Sequence, residues 1–99
     1  MADGGHVYII TNKHNNVLYT GVTSDLASRM VEHINKLYPT SFSARYNLHK
    51  LVYYQFFDAI EDAIHEEKRI KGGSRKAKIA LIESMNSEWR DLYEDIENW

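Results

Sequence analysis

Apolar and polar positions along this 99-residue chain follow two different periods, and the changes between them mark the elements. Val7-Tyr8-Ile9-Ile10-Thr11 and Val17-Leu18-Tyr19-Thr20-Gly21-Val22-Thr23 are rich in β-branched and aromatic residues. Asn12-Lys13-His14-Asn15-Asn16 between them carries turn chemistry, so the pair reads as a β-hairpin that brings Tyr8 near Tyr19. Leu26, Met30, Ile34 and Leu37 then recur at helical spacing behind the candidate caps Thr23, Ser24 and Asp25. The pattern predicts a helix over 24–37, ended by the boundary at Pro39, with Arg29 and His33 on one face.

Phe42 to Tyr46 offers one helical turn that carries Arg45 and Tyr46 towards whatever the hairpin faces. Residues 50–57 read as a third strand, apolar on both alternating sets, which suits a strand covered on both faces better than an edge strand. Ile60, Ala63, Ile64 and Ile70 predict a second long helix that stops at Gly72-Gly73. Ser74 caps a third helix running to about Met85. Asn86-Ser87 supplies another stop and cap, and Trp89, Leu92, Tyr93 and Ile96 give a short closing helix its apolar side. Residues 1–6 are small and polar and are expected to fray. No internal repeat or low-complexity linker is visible, so one domain over 1–99 is expected.

Length and composition narrow the chemistry. A chain of this size builds one core and one site. No apolar run approaches membrane-spanning length, and the start has neither a basic nor a hydrophobic region, so a cytoplasmic location without a membrane partner is expected. The absence of cysteine excludes disulfides, thiolate nucleophiles and thiolate zinc sites, leaving carboxylate, imidazole, hydroxyl and phenol. A formal net charge of −2 hides an uneven distribution. Six of the twelve basic residues lie between Lys68 and Lys78, and six of the fourteen acids lie between Glu83 and Glu97. The basic block is either a solvated helical face or a surface for phosphates.

Glu67 stands out, because it lies four residues after Ala63 and seven after Ile60, inside the apolar stripe of its helix. An inward carboxylate requires a partner. That partner is either a buried arginine or tyrosine hydroxyls, or a divalent cation such as magnesium, which takes one or two protein carboxylates and keeps several waters. Gly21, at the end of its strand, either lets backbone or a ligand approach closely or marks a bulge.

The ordered set His6-Val7-Tyr8, Tyr19-Thr20-Gly21, Arg29 and Glu67 resembles the GIY-YIG nuclease domain. The likeness extends through Phe42-Ser43-Ala44-Arg45-Tyr46, Leu51-Val52-Tyr53-Tyr54, Ala63-Ile64-His65-Glu66-Glu67-Lys68, Leu81-Ile82 and Trp89-Arg90-Asp91-Leu92, and is greatest to the small stand-alone bacterial members. It implies an α/β (α+β) fold with a small three-stranded antiparallel sheet flanked by helices. It also implies a divalent-metal-dependent endonuclease that hydrolyses phosphodiester bonds, with roles in DNA repair or recombination. Tyr8, Tyr19, Arg29, His33 and Glu67 fall on the catalytic positions, and Glu67 on that of the ligand for Mg2+ (or Mn2+). Arg29 would neutralise nonbridging oxygens, while Tyr8, Tyr19 and His33 remain alternative bases. The implied partner is nucleic acid, DNA or RNA with DNA favoured, and Gly21, Arg45, Tyr46, Lys71, Arg75 and Lys78 are candidates for contact with it. The chain departs from the family pattern at His6 in place of glycine, at Val22, Gln55 and Glu66, and at Asn86-Ser87.

Three functional classes follow. The leading one is an endonuclease acting on branched, damaged or single-stranded nucleic acid with little sequence preference. The alternative is a non-catalytic nucleic-acid-binding module on the same fold. The third is an interaction protein that uses the acidic end and its tryptophans. Joint retention of Tyr8, Tyr19, Arg29, His33 and Glu67 favours the first, because a binding module has no use for an inward carboxylate.

Overall fold

The computed structural model describes residues 4–99. In chain order the elements are β1 (Gly5–Thr11), β2 (Leu18–Thr23), α1 (Leu26–Ile34), α2 (Phe42–Arg45), β3 (Lys50–Phe57), α3 (Ile60–Lys71), α4 (Arg75–Met85) and α5 (Tyr93–Ile96). The strands form one antiparallel sheet in the order β2-β1-β3. Alternation along β1 divides the core in two. Tyr8 and Ile10 face Leu26 and Met30 of α1, together with Leu92 and Ile96. Val7 and Ile9 face Ala63 and Ile70 of α3 and Ile82 of α4. The central strand is thus buried on both faces, with helices on either side. No helix among the described residues is long and apolar enough to cross a membrane.

Capping explains where the first helix starts and stops. The Asp25 carboxylate accepts from the Ser28 amide at 3.2 Å and the Ser28 hydroxyl at 2.9 Å, and these bonds hold its pKa below the usual carboxylate value. At the other end Lys36 adopts a left-handed φ of 52°, and the Leu37 amide turns back to the Glu32 carbonyl at 3.1 Å. The helix is therefore shorter than the 24–37 span predicted from periodicity. Leu37 falls beyond its end and is exposed.

β3 is an edge strand, contrary to the expectation from its apolar character. Its first half is nonetheless covered. The pairing with β1 shifts by one residue between Ile9 and Ile10, so that Leu51 lies in one core and both Val52 and Tyr53 in the other. The segment after α4 then caps the open edge. Leu92 donates its amide to the Leu51 carbonyl at 2.7 Å, and Asp91 Oδ1 accepts from the Leu51 amide at 3.2 Å. Further along, Gln55 and Phe56 are exposed.

Two other expectations are corrected. Gly5 and His6 belong to β1, and Gly4 is buried, so the predicted fraying does not extend to them. Residues 1–3 lie outside the described residues. Trp89 does not join the closing helix. At φ 56° it swings into the α3–α4 core, and its indole N–H donates to Glu83 Oε2 at 2.9 Å.

Buried Asn86 ties this C-terminal segment to the sheet. Its amide nitrogen donates to the carbonyls of Val52 at 3.2 Å and Arg90 at 2.7 Å, and its oxygen accepts from the Arg90 amide at 3.0 Å. Asn86→Ala leaves the buried Val52 carbonyl without this partner and frees the Arg90 backbone, and should lower unfolding stability by about 2 kcal/mol or more. Urea denaturation measures this; a loss below about 0.5 kcal/mol, the range of an ordinary surface change, would contradict the assignment.

Candidate active site

Tyr8 is fully buried and stands opposite Gly21 in the β1–β2 register. A Cβ on Gly21 would lie 2.5 Å from the Tyr8 Cζ and hydroxyl oxygen. The glycine thus leaves room for the end of the phenol, a neighbouring side chain rather than a ligand. The ring crosses β2 and places its hydroxyl 2.9 Å from His33 Nε2 in the last turn of α1. His33 Nδ1 lies 2.9 Å from Ser43 Oγ. Ser43 is itself 3.3 Å from Ser41 Oγ, which accepts the Ala44 amide as the N-cap of α2. One continuous chain of hydrogen bonds therefore runs from the central strand through the first helix to the second.

Beside this chain opens a cleft of about 430 Å³, lined by Tyr19, Arg29, His33, Lys36, Tyr38 and Phe42, among others. Arg29 is 3.1 Å from Glu32 and keeps 41% of its side chain exposed. The Tyr19 ring meets the His33 edge at 6.1 Å between centroids and stacks on Phe42 at 6.1 Å. Burial raises the Tyr8 pKa well above the ordinary phenol value; nearby Tyr19 adds to this and Arg29 partly offsets it. Burial, then the Arg29 charge, lowers the His33 pKa from its ordinary 6.5, with Glu32 opposing. At neutral pH the pair is a protonated phenol beside a neutral imidazole. The imidazole has the capacity to accept a proton.

Tyr8, Tyr19, Arg29 and His33 thus come together. Glu67 does not line the same cleft. Its helix, α3, packs against the Val7–Ile9 face, opposite the face that carries both tyrosines. It approaches the site around the β2 edge: its carboxylate pairs with Lys71 at 3.1 Å, and the Lys71 ammonium lies 5.7 Å from the centre of the Tyr19 ring. The partner of this half-buried acid is a lysine one turn along the same helix, not a buried arginine or a tyrosine hydroxyl. Among the described residues no three histidine, aspartate or glutamate side chains form a metal cluster. A lone hard oxygen donor fits a magnesium ion that keeps its waters and takes further oxygens from a phosphate.

The candidate contact residues are spread out. Arg45 and Tyr46 are exposed at the end of α2, with Tyr46 packed on Phe42 at 4.6 Å between centroids. Arg75 donates to the carbonyls of Asn15 at 3.5 Å and Asn16 at 3.0 Å, pinning the hairpin turn to α4. Lys78 Nζ donates to the Gly73 carbonyl at 2.7 Å. Neither of these two lines the cleft. Ser43 and Ser41 carried no distinctive sequence signal. Phe42 and Tyr46 did, as an aromatic pair four residues apart.

Comparison with known proteins bears on the family and the fold. The family described as GIY-YIG catalytic domain matches residues 4–80. A UPF0213 protein of Staphylococcus saprophyticus is 34% identical over 80 residues, covering 81% of this chain and 95% of its own. One of Staphylococcus haemolyticus is 33% identical over 78 residues, covering 79% and 93%. The solution structure of a UPF0213 protein from Bacillus halodurans superposes with a TM-score of 0.56 at 26% identity, covering 89% of this chain and 92% of that one.

Gly21→Ala should drive the Tyr8 phenol off His33 and cost about 1–3 kcal/mol of stability, read by urea denaturation; an unchanged midpoint would mean that the ring is not confined there. A second expectation concerns pH. The folded pKa of His33 lies below its ordinary 6.5, so on acidification the unfolded chain binds the proton first. Its contribution to stability is full above 6.5 and is lost as pH falls from there towards the lowered folded value. Burial lowers His6 as well, and its contribution has the same sign. Urea midpoints should therefore fall on going below pH 6.5, and less so in His33→Gln; identical profiles for the two proteins would contradict the lowered His33 pKa.

Proposed function

Because the chain belongs to the GIY-YIG catalytic domain family, we propose that it is an endonuclease that hydrolyses phosphodiester bonds with little sequence preference. Its substrate on this reading is DNA rather than RNA, and its cofactor is magnesium or manganese. One observation carries the proposal: His33 and Arg29 line a cleft open to solvent with Tyr19, and the His33 imidazole is held there by the buried Tyr8 phenol. A module that only gripped phosphates would need the guanidinium but not the buried phenol–imidazole pair.

The residues divide the work. Tyr19, on the cleft wall, orients the attacking water. His33, neutral and on the same wall, takes a proton from that water at Nε2, leaving an imidazolium held between the buried Tyr8 hydroxyl oxygen and Ser43 Oγ. Hydroxide oxygen bonds to phosphorus, the bond from phosphorus to the leaving ester oxygen breaks, and that oxygen takes a proton from solvent while the imidazolium returns its proton to solvent. Arg29 neutralises the nonbridging oxygens as charge accumulates on them. Glu67 would hold the divalent cation, which supplies Lewis-acid stabilisation to the phosphate and the leaving oxygen. Lys71, now paired with that carboxylate, would be free to turn to phosphate.

The test is cleavage of labelled mixed-sequence DNA with magnesium, with manganese and with chelator. Arg29→Ala and Glu67→Gln should each reduce the rate by about 100-fold or more. Glu67→Gln should leave stability in chelator within about 1 kcal/mol, because the Glu67–Lys71 pair is partly solvated. Absence of metal-dependent cleavage by the unaltered protein would overturn the enzyme reading and leave the binding module. Cleavage that survives Glu67→Gln would remove that residue from the metal.

A further inference from the structure

Six of the nine exposed large hydrophobic side chains among the described residues lie between Val31 and Tyr46. Two of them, Phe42 and Tyr46, are 46% and 45% exposed, and they extend a row of rings that starts inside the cleft. Tyr19 and Phe42 are 6.1 Å apart at an interplanar angle of 28°, and Phe42 and Tyr46 are 4.6 Å apart at 40°. The single turn of α2 buries Ser43 and Ala44. Its residue 42 and the cap at residue 46, four apart, therefore project outward together. Packing does not require aromatics there, and such a patch beside a cleft marks a binding surface.

Resting on the nuclease reading above, we propose that Tyr19, Phe42 and Tyr46 are a stacking platform for unpaired bases, so that the strand to be cut is recognised single-stranded. Cations stand near the row. Lys71 lies over Tyr19, Arg29 lines the cleft, and Lys36 lines it too, with a 2.6 Å bond to Oδ1 of Asn47, the residue after Tyr46. The acids nearby are engaged: Glu32 with Arg29, and Glu67 with Lys71. Rings bordered by cations fit a chain of bases on a phosphate backbone. An apolar protein surface, or a second copy of this chain, would have to strip water from Lys36, whose partner is a neutral amide, and from the two ion pairs, without offering an anion in exchange. In a duplex the faces of the bases are already stacked on one another, so the platform discriminates against paired strands.

Binding in chelator tests this without any cleavage. Fluorescence anisotropy would be measured with a labelled mixed-sequence 20-nucleotide single strand and with its duplex. The unaltered protein should prefer the single strand. Phe42→Ala and Tyr46→Ala should each weaken single-strand binding by about tenfold, leave duplex binding within about twofold, and keep the melting temperature. Phe42→Trp should retain the preference. Duplex preference, equal losses on both probes, no loss in either alanine variant, or a dimer in sedimentation that Tyr46→Ala dissociates would each overturn the proposal. Failure of the nuclease reading would appear differently, as stacking-dependent binding without metal-dependent cleavage.

Discussion

The hydrogen bond from Tyr8 to His33 joins the centre of the fold to its working surface, and much of the rest is arranged to permit it. A buried phenol needs a partner for its hydroxyl. Here the partner is an imidazole that a helix presents at the rim of a cleft, so satisfying the core and building the site are the same event. Three conditions follow. β2 must have no side chain where the ring crosses it, which Gly21 meets. α1 must end soon after His33, which the left-handed turn at Lys36 ensures. The other imidazole nitrogen must also be bonded, and Ser43 provides for that from α2.

The opposite edge of the sheet solves a different problem. β3 would expose a row of backbone donors and acceptors, a template for unwanted pairing. A bulge at Val52 and the hydrogen bonds that Asp91, Leu92 and Asn86 make to Leu51 and Val52 close its first half. This explains why the segment after α4 is held by side-chain and backbone bonds rather than by a long helix. It also leaves β2 as the edge beside the cleft, where α3 can deliver Glu67 and Lys71 to a site built on the other face.

Much of this was legible in the sequence because periodicity reports burial. The three strands and the three longer helices stood in the hydrophobic pattern, while the single turn from Phe42 had no period to place it, and Arg29 and His33 could be paired from their spacing alone. What was not legible depends on contacts across the sheet. The apolar run of β3 looked like a central strand because the pattern records coverage and cannot say whether a neighbouring strand or a C-terminal segment provides it. Glu67 read as an inward carboxylate in the apolar stripe of its helix, and its side chain is 14% exposed. Which face of the sheet that helix covers is a matter of topology, which spacing does not encode. Ser43 was invisible because one hydroxyl in a short turn has no periodicity.

Charge makes the same point about averages. A net charge of −2 would argue against a polyanion as partner if the charges were smeared over the surface. They are not. In the acidic C-terminal segment, Arg90 pairs with Glu94 and with Asp95. Glu66 accepts two bonds from Arg69, and Glu67 and Glu32 each hold one cation beside the cleft. An acid paired with a lysine or arginine at the surface fixes the position of that cation at small energetic cost, and the pair opens readily when a stronger anion arrives. A phosphate backbone is such an anion, so these pairs set cations in place at the rim of the cleft without committing them to the resting protein.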